Sequence, residues 1–141
     1  MNNAYPNHVT IVDVSPRDGL QNESMTVPTA IKQALIEDLI KAGVKKIETT
    51  SFVSPKWVPR MGDNNELMTA LAASRSDDVI YSVLVPNMRG FDDAILHRPD
   101  EVVIFASASE TFSQKNINCS IDESIERFAP VAAAAKAQGI K

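Results

Sequence analysis

Val9-Thr10-Ile11-Val12-Asp13-Val14 runs without a break into Ser15-Pro16-Arg17-Asp18-Gly19-Leu20-Gln21-Asn22-Glu23. The first six residues form a β-branched, mostly apolar run, which predicts a strand. The next nine hold a guanidinium, two carboxylates and two amides, with a glycine where the chain has to turn. A strand that empties into such a cluster places polar groups at one mouth of a sheet. The kind of sheet is decided by the order of the elements beyond Glu23.

Downstream, strand and helix signals alternate. Ile31, Leu35, Leu39 and Ile40 recur at helical spacing after Val27-Pro28, and Gly43 supplies the stop. Val44-Lys45-Lys46-Ile47-Glu48 predicts a second strand, ending in Thr49-Thr50-Ser51. A proline-containing loop from Phe52 to Gly62 comes next. Asp63, with Glu66 three residues on, has the pairing that opens a helix, here to about Ser74. Val79 to Val85 predicts a third strand, closed by Pro86-Asn87, and a helix from about Arg89 to Leu96 comes after it. Glu101 to Phe105 predicts a fourth strand, ended by Ser107-Ala108-Ser109-Glu110, with Lys115-Asn116-Ile117-Asn118 in the loop beyond. Ser120-Ile121-Asp122-Glu123 is a capping box for an alanine-rich helix to about Gln138. Gly139-Ile140-Lys141 repeats the Gly43-Val44-Lys45 passage from helix stop to strand, so the last residues are expected to begin a fifth strand.

Four strands alternating with four helices predict an α/β protein with a parallel sheet, read as one domain over residues 1–141. An open doubly wound sheet and an arc of a (β/α)8 barrel both fit. In either, functional groups collect beyond the C-terminal ends of the strands. Arg17 and Asp18, Glu48 to Ser51, Asn87 and Ser107 to Glu110 all fall there. The five glycines are too far apart to build a G-x-G-x-x-G or G-x-x-x-x-G-K phosphate loop, which weighs against a nucleotide-binding open sheet.

Bulk properties bound the alternatives. The 141 residues are 44% apolar and 23% charged, as in a soluble globular domain with a real core. A net charge of -4 argues against a general nucleic-acid or anionic-membrane binder. A single cysteine, Cys119, excludes an internal disulfide and a multi-cysteine zinc site, and fits a reducing compartment. No apolar run approaches the roughly 20 residues needed to span a bilayer. Met1 to Asn7 has neither signal-peptide nor presequence character, so a cytoplasmic setting is expected.

Several groups could do chemistry. Asp18 could give a hard oxygen to a divalent cation, and Arg17 could stabilise an oxyanion, with Glu48 on the neighbouring strand orienting either. The alternative is a salt-bridged loop closing the mouth of the sheet, with Asp18 capping Gln21 or Asn22. Adjacent Arg-Asp pairs are common on surfaces, which favours that structural reading. Glu48 ends an apolar strand and needs a partner, for which Arg17 is the nearest by topology. Cys119 precedes a helix N-terminus, where a thiolate could be stabilised, but a small buried residue is the plainer reading. His8 and His97 are expected at the opposite, N-terminal face. Lys115-Asn116-Ile117-Asn118 could contact a phosphate or an acyl chain, or form a turn.

Three stretches together resemble the hydroxymethylglutaryl-CoA lyase family: Ser15 to Glu23, Ile47-Glu48-Thr49-Thr50-Ser51-Phe52-Val53-Ser54-Pro55-Lys56-Trp57-Val58-Pro59, and Lys115-Asn116-Ile117-Asn118-Cys119-Ser120. The first alone is shared with the wider group of metal-dependent barrel lyases and Claisen-type synthases. The resemblance covers essentially the whole chain. It implies the first half of a (β/α)8 barrel that cleaves 3-hydroxy-3-methylglutaryl-CoA to acetoacetate and acetyl-CoA with Mg2+ or Mn2+, usually in leucine breakdown. Carried over by position, Asp18 is a metal ligand, and Arg17 faces the thioester oxygen. Glu48 belongs to the catalytic polar network, and Gln21 and Asn116 join Arg17 as substrate contacts. An acyl-CoA is the implied partner, with no nucleic acid and no membrane, and the complete enzyme is expected to be a homodimer.

The resemblance also implies what these residues lack. The family's other metal ligands, a His-x-His pair and an asparagine, and its catalytic cysteine in a glycine-rich loop belong to the later half of the barrel. Cys119 matches a different position. The chain is therefore expected to hold half a site and to be inactive alone. Alternatives are a self-associating half-barrel that serves as a binding module, and a fragment of a sibling synthase or aldolase acting on 2-oxo acids.

Overall fold

Lys46 to Ser51 is the strand to which the other elements are referred. In the computed structural model, which describes residues 5–141, it is β1 (Lys46–Ser51). The first four residues, part of the stretch read for targeting signals, lie outside the described residues. β2 (Ile80–Leu84) and β3 (Glu101–Val103) follow in spatial order β1-β2-β3, all parallel. Helix α1 (Thr29–Lys41) precedes β1, α2 (Asn64–Ala73) lies between β1 and β2, and α3 (Met88–Ile95) lies between β2 and β3. After β3 come α4 (Glu110–Ile117) and α5 (Ile121–Ala137). The sheet is not closed, and its parallel strands with flanking helices are those of part of a (β/α) barrel.

The strands sort their side chains by face. Ile47, Tyr81, Val83 and Val85 pack against Ile36 of α1, Leu67, Met68 and Leu71 of α2, Phe91 and Ala94 of α3, and Val131 and Ala135 of α5. This single cluster between sheet and helices is the core, and its burial is the main driving force for the fold. The other face carries polar groups together with Leu84. Lys46 pairs with Glu101 across β2, and Glu48 lies beside Ser82, whose hydroxyl donates to the Ile47 carbonyl at 3.2 Å. The pairing slips by one residue between Glu48 and Thr50, a β-bulge in β1.

Helix ends follow local chemistry. Gly43 stops α1 with φ +97°, a conformation open to glycine. Gly90 lies in the first turn of α3, where a Cβ would sit 2.7 Å from the Phe52 carbonyl oxygen and from Pro86 Cδ. The absence of a side chain lets α3 close onto the end of β1. Ser120 and Glu123 form both halves of the predicted capping box at the start of α5. The Ser120 N–H, with a further hydrogen bond to the Ser120 side chain, holds the Glu123 carboxyl below its ordinary 4.5.

Four expectations are corrected. Val9 to Val14 is not a full strand: only Asp13 bridges to β1, its N–H donating to Lys46 O and its carbonyl accepting from Glu48 N, both at 2.9 Å. Val9 and Ile11 are exposed at 66% and 78%, so nothing buries the run as a whole. The fourth strand ends at Val103 rather than Phe105. Asp63 does not cap α2 with its side chain. Its carboxylate instead accepts from Lys32 Nζ at 2.6 Å and Thr29 Oγ1 at 2.8 Å, both on α1. Finally, Lys115 to Ile117 are helical, ending α4, which Asn118 closes at φ 50°. At the far edge, the Val102 N–H donates to Lys141 O at 2.8 Å, so the passage after Gly139 does run beside β3.

Candidate active site

The polar cluster after Asp13 folds into a wide helical turn, Ser15–Gly19, directly above β1. Pro16 suits its first turn, and the Val14 carbonyl accepts from the N–H groups of Arg17, Asp18 and Gly19 at 3.2, 2.7 and 3.3 Å. The bridge at Asp13 fixes where the turn starts, and so delivers Arg17 to Glu48 of β1.

There Arg17 meets both predicted carboxylates. Its Nε donates to Glu48 Oε1, and its Nη1 donates to Asp18 Oδ1 at 2.8 Å. The Arg17 and Glu48 side chains are 16% and 6% exposed, whereas that of Asp18 is 54% exposed. The pair between Arg17 and Glu48 is therefore a largely desolvated, charge-assisted contact that holds the guanidinium plane. Neither contact uses Nη2. The predicted capping role of the Asp18 carboxylate is not seen; the Asp18 carbonyl accepts from Asn22 Nδ2 at 2.8 Å instead.

The other predicted residues lie further out. Gln21 is half-buried just beyond the turn, and Asn116 is exposed on α4. Neither shares a side-chain hydrogen bond with Arg17, Asp18 or Glu48. Cys119 is buried, with its carbonyl accepting from Ser113 Oγ at 2.7 Å, which is a packing role. His97 does not sit at the N-terminal face. It bonds Asn65 in the first turn of α2 at 2.8 Å and lies 5.9 Å from the Phe52 ring, in the outer helical layer.

Two supporting residues escaped the sequence reading. Lys32 is fully buried and spans from α1 to Asp63 and to the Arg60 carbonyl, both at 2.6 Å. Arg60 in turn reaches the Ser24 carbonyl at 3.4 Å. This ties the loop after the Arg17 turn to the loop after β1. The signal was present in the sequence, because Lys32 shares the inward face of α1 with Ile36 at i+4. Asn64, the other, donates from Nδ2 to the Ser51 carbonyl at 3.0 Å.

Among the described residues, no group of three or more His, Cys, Asp or Glu side chains comes together as a metal site. Asp18 offers one half-exposed carboxylate, one oxygen of which already accepts from Arg17. Mg2+ takes about six oxygen ligands. These residues by themselves do not fit a resident divalent cation. Also among the described residues, no helix is long and apolar enough to cross a membrane.

Comparison with known proteins places this arrangement. The HMGL-like family model matches residues 8–141. A cytoplasmic 3-hydroxy-3-methylglutaryl-CoA lyase from Danio rerio is 53% identical over 135 residues, covering 96% of this chain and 40% of that protein. The crystal structure of the HMG-CoA lyase from Brucella melitensis superposes with a TM-score of 0.90 at 55% identity, over 94% of this chain and 46% of that one. An HMG-CoA lyase from Acinetobacter baumannii, solved with coenzyme A and 3-methylmalate, superposes with a TM-score of 0.86 at 35% identity, over 93% and 42%. The chain thus spans less than half the length of the relatives it matches. Over that span, sequence and fold agree, and the chain belongs to the HMGL-like family.

Proposed function

We propose that the chain supplies the enolate-stabilising part of a carbon–carbon lyase that cleaves 3-hydroxy-3-methylglutaryl-CoA to acetoacetate and acetyl-CoA. The observation that carries this reading is the Arg17 guanidinium, held through Nε by Glu48 within the parallel strand β1. In the cleavage, the C3 hydroxyl loses its proton and becomes the ketone of acetoacetate. The C2–C3 bond breaks, and its electron pair passes to C2 and the thioester oxygen as an enolate. Protonation at C2 then gives acetyl-CoA.

Each residue has a part in that sequence. Arg17 presents its unused Nη2 donors where the thioester oxygen gains charge. A fixed donor of this kind lowers the barrier by about 3–4 kcal/mol. Glu48, being buried, keeps the guanidinium plane from rotating away, so that no reorganisation is needed as the charge develops. Gln21 and Asn116 are assigned to the substrate on family membership. So is Asp18, which would offer one carboxylate oxygen toward Mg2+ or Mn2+. The relative solved with coenzyme A supports an acyl-CoA as substrate.

Calorimetric titration of the chain with 3-hydroxy-3-methylglutaryl-CoA tests the reading. The wild type is expected to bind, and Arg17→Met to bind at least tenfold more weakly. Arg17→Lys is expected to recover little, because an ammonium cannot use Glu48 and the thioester oxygen in the same planar fork. Equal binding by wild type and Arg17→Met overturns the assignment.

A further inference from the structure

Ser51 ends β1 with its backbone fixed and its hydroxyl free. Its carbonyl accepts from Asn64 Nδ2 at 3.0 Å, it pairs in register with Leu84, and the next N–H, of Phe52, donates to Leu84 O at 2.8 Å. The residue is fully buried, and among the described residues its Oγ is the one buried side-chain polar atom without a hydrogen-bond partner. A buried hydroxyl left in that state destabilises the fold, and it calls for an explanation.

The bulge in β1 says which way it faces. Glu48 pairs with Ser82, and Ser51 pairs with Leu84. Ser82 and Leu84 are two apart on an unbroken strand, so they share a face. Glu48 and Ser51 share the same face, although a separation of three residues places side chains on opposite faces of a regular strand. The extra residue is accommodated between them. The Thr49 hydroxyl lies 3.3 Å from the sulfur of Met68 on α2, and the Thr50 hydroxyl 3.9 Å from that of Met61 in the loop after β1. Ser51 thus stands on the face that carries Glu48 and Arg17, one step nearer the mouth.

We propose that the Ser51 hydroxyl donates a hydrogen bond to an oxygen of the acyl part of the bound CoA thioester, a positioning contact in addition to Arg17. This rests on the lyase reading above. A rigid strand end with an unused donor is the form that a preorganised ligand contact takes. It also explains why a destabilising group is tolerated there.

The test compares wild type with Ser51→Ala in the 141-residue chain, using thermal unfolding and calorimetric titration with 3-hydroxy-3-methylglutaryl-CoA and with free coenzyme A. Ser51→Ala is expected to melt higher than wild type, to bind the acyl-CoA about tenfold more weakly, and to bind free coenzyme A equally well. Equal acyl-CoA affinity in the two proteins overturns the Ser51 contact alone. A lower melting temperature with both ligands weakened alike makes Ser51 structural and also overturns it. Absence of acyl-CoA binding by the wild type overturns the lyase reading, and the Ser51 contact falls with it.

Discussion

At the scale of single residues, the Arg17–Glu48 pair combines a structural and a chemical role, and the two can be separated. Arg17→Met leaves the buried Glu48 carboxylate without its partner. It is expected to cost about 3–5 kcal/mol in urea denaturation, because an uncompensated charge stays in the interior. Adding Glu48→Leu is expected to restore most of that loss while leaving acyl-CoA binding as weak as in Arg17→Met. If the double variant is no more stable than Arg17→Met, desolvation is not the source of the cost. The pairing itself was legible in the sequence, since consecutive strands of a parallel sheet are neighbours and a carboxylate ending an apolar strand needs a cation. The facing of Ser51 was not legible. A period of two puts it opposite Glu48, and the bulge that reverses this is a property of pairing with β2 that no local pattern announces.

At the scale of elements, the chain's ends and caps are the parts whose chemistry is local. Ser120→Ala removes the side-chain half of the capping box and is expected to cost about 1 kcal/mol, read from thermal unfolding. The Glu123 carboxyl is held below its unfolded value, so the stability it contributes is fully present above about pH 4.5 and is lost as pH falls through the lower folded value. Glu123→Gln is expected to flatten that acid limb in melts between about pH 3 and 6; an unchanged limb refutes the assignment. Gly90→Ala is expected to destabilise by about 1–3 kcal/mol, because the new Cβ meets backbone and a proline ring rather than a flexible side chain. The Ser120 cap and the Gly43 stop were readable because they depend on residues within one turn, whereas the Asp63 carboxylate, read as a cap, is taken by Lys32 and Thr29 of α1. Helix α4 was not readable: Ser113 is its only buried residue, so it has no apolar stripe to recognise. Val9 to Val14 erred the other way, with strand-like composition and only one residue's worth of pairing.

At the scale of the whole molecule, the face of the sheet that carries the site is also where the donor set runs short. Purified chain is expected to form no acetoacetate from 3-hydroxy-3-methylglutaryl-CoA at any added Mg2+ or Mn2+ concentration, since among the described residues no group of three or more possible ligands gathers and the Asp18 carboxylate is shared with Arg17. Acetoacetate above the level of an Arg17→Met control refutes this. The parallel architecture was legible from the alternation of strand and helix signals alone, whereas the extent of the sheet depended on edge pairing. The bridge at Asp13 has a kinetic consequence. The strands and their helices share one core, but the turn bearing Arg17 is joined to them by one pair of backbone hydrogen bonds at Asp13, by the contact with Glu48 and by the buried Pro16. Sheet and core can therefore assemble before the guanidinium arrives, whereas its departure leaves the buried Glu48 carboxylate of β1 without its partner. Amide exchange over residues 13–19 should be faster than across β1 and β2, which makes the arrival of Arg17 a separate, late event in readying the site.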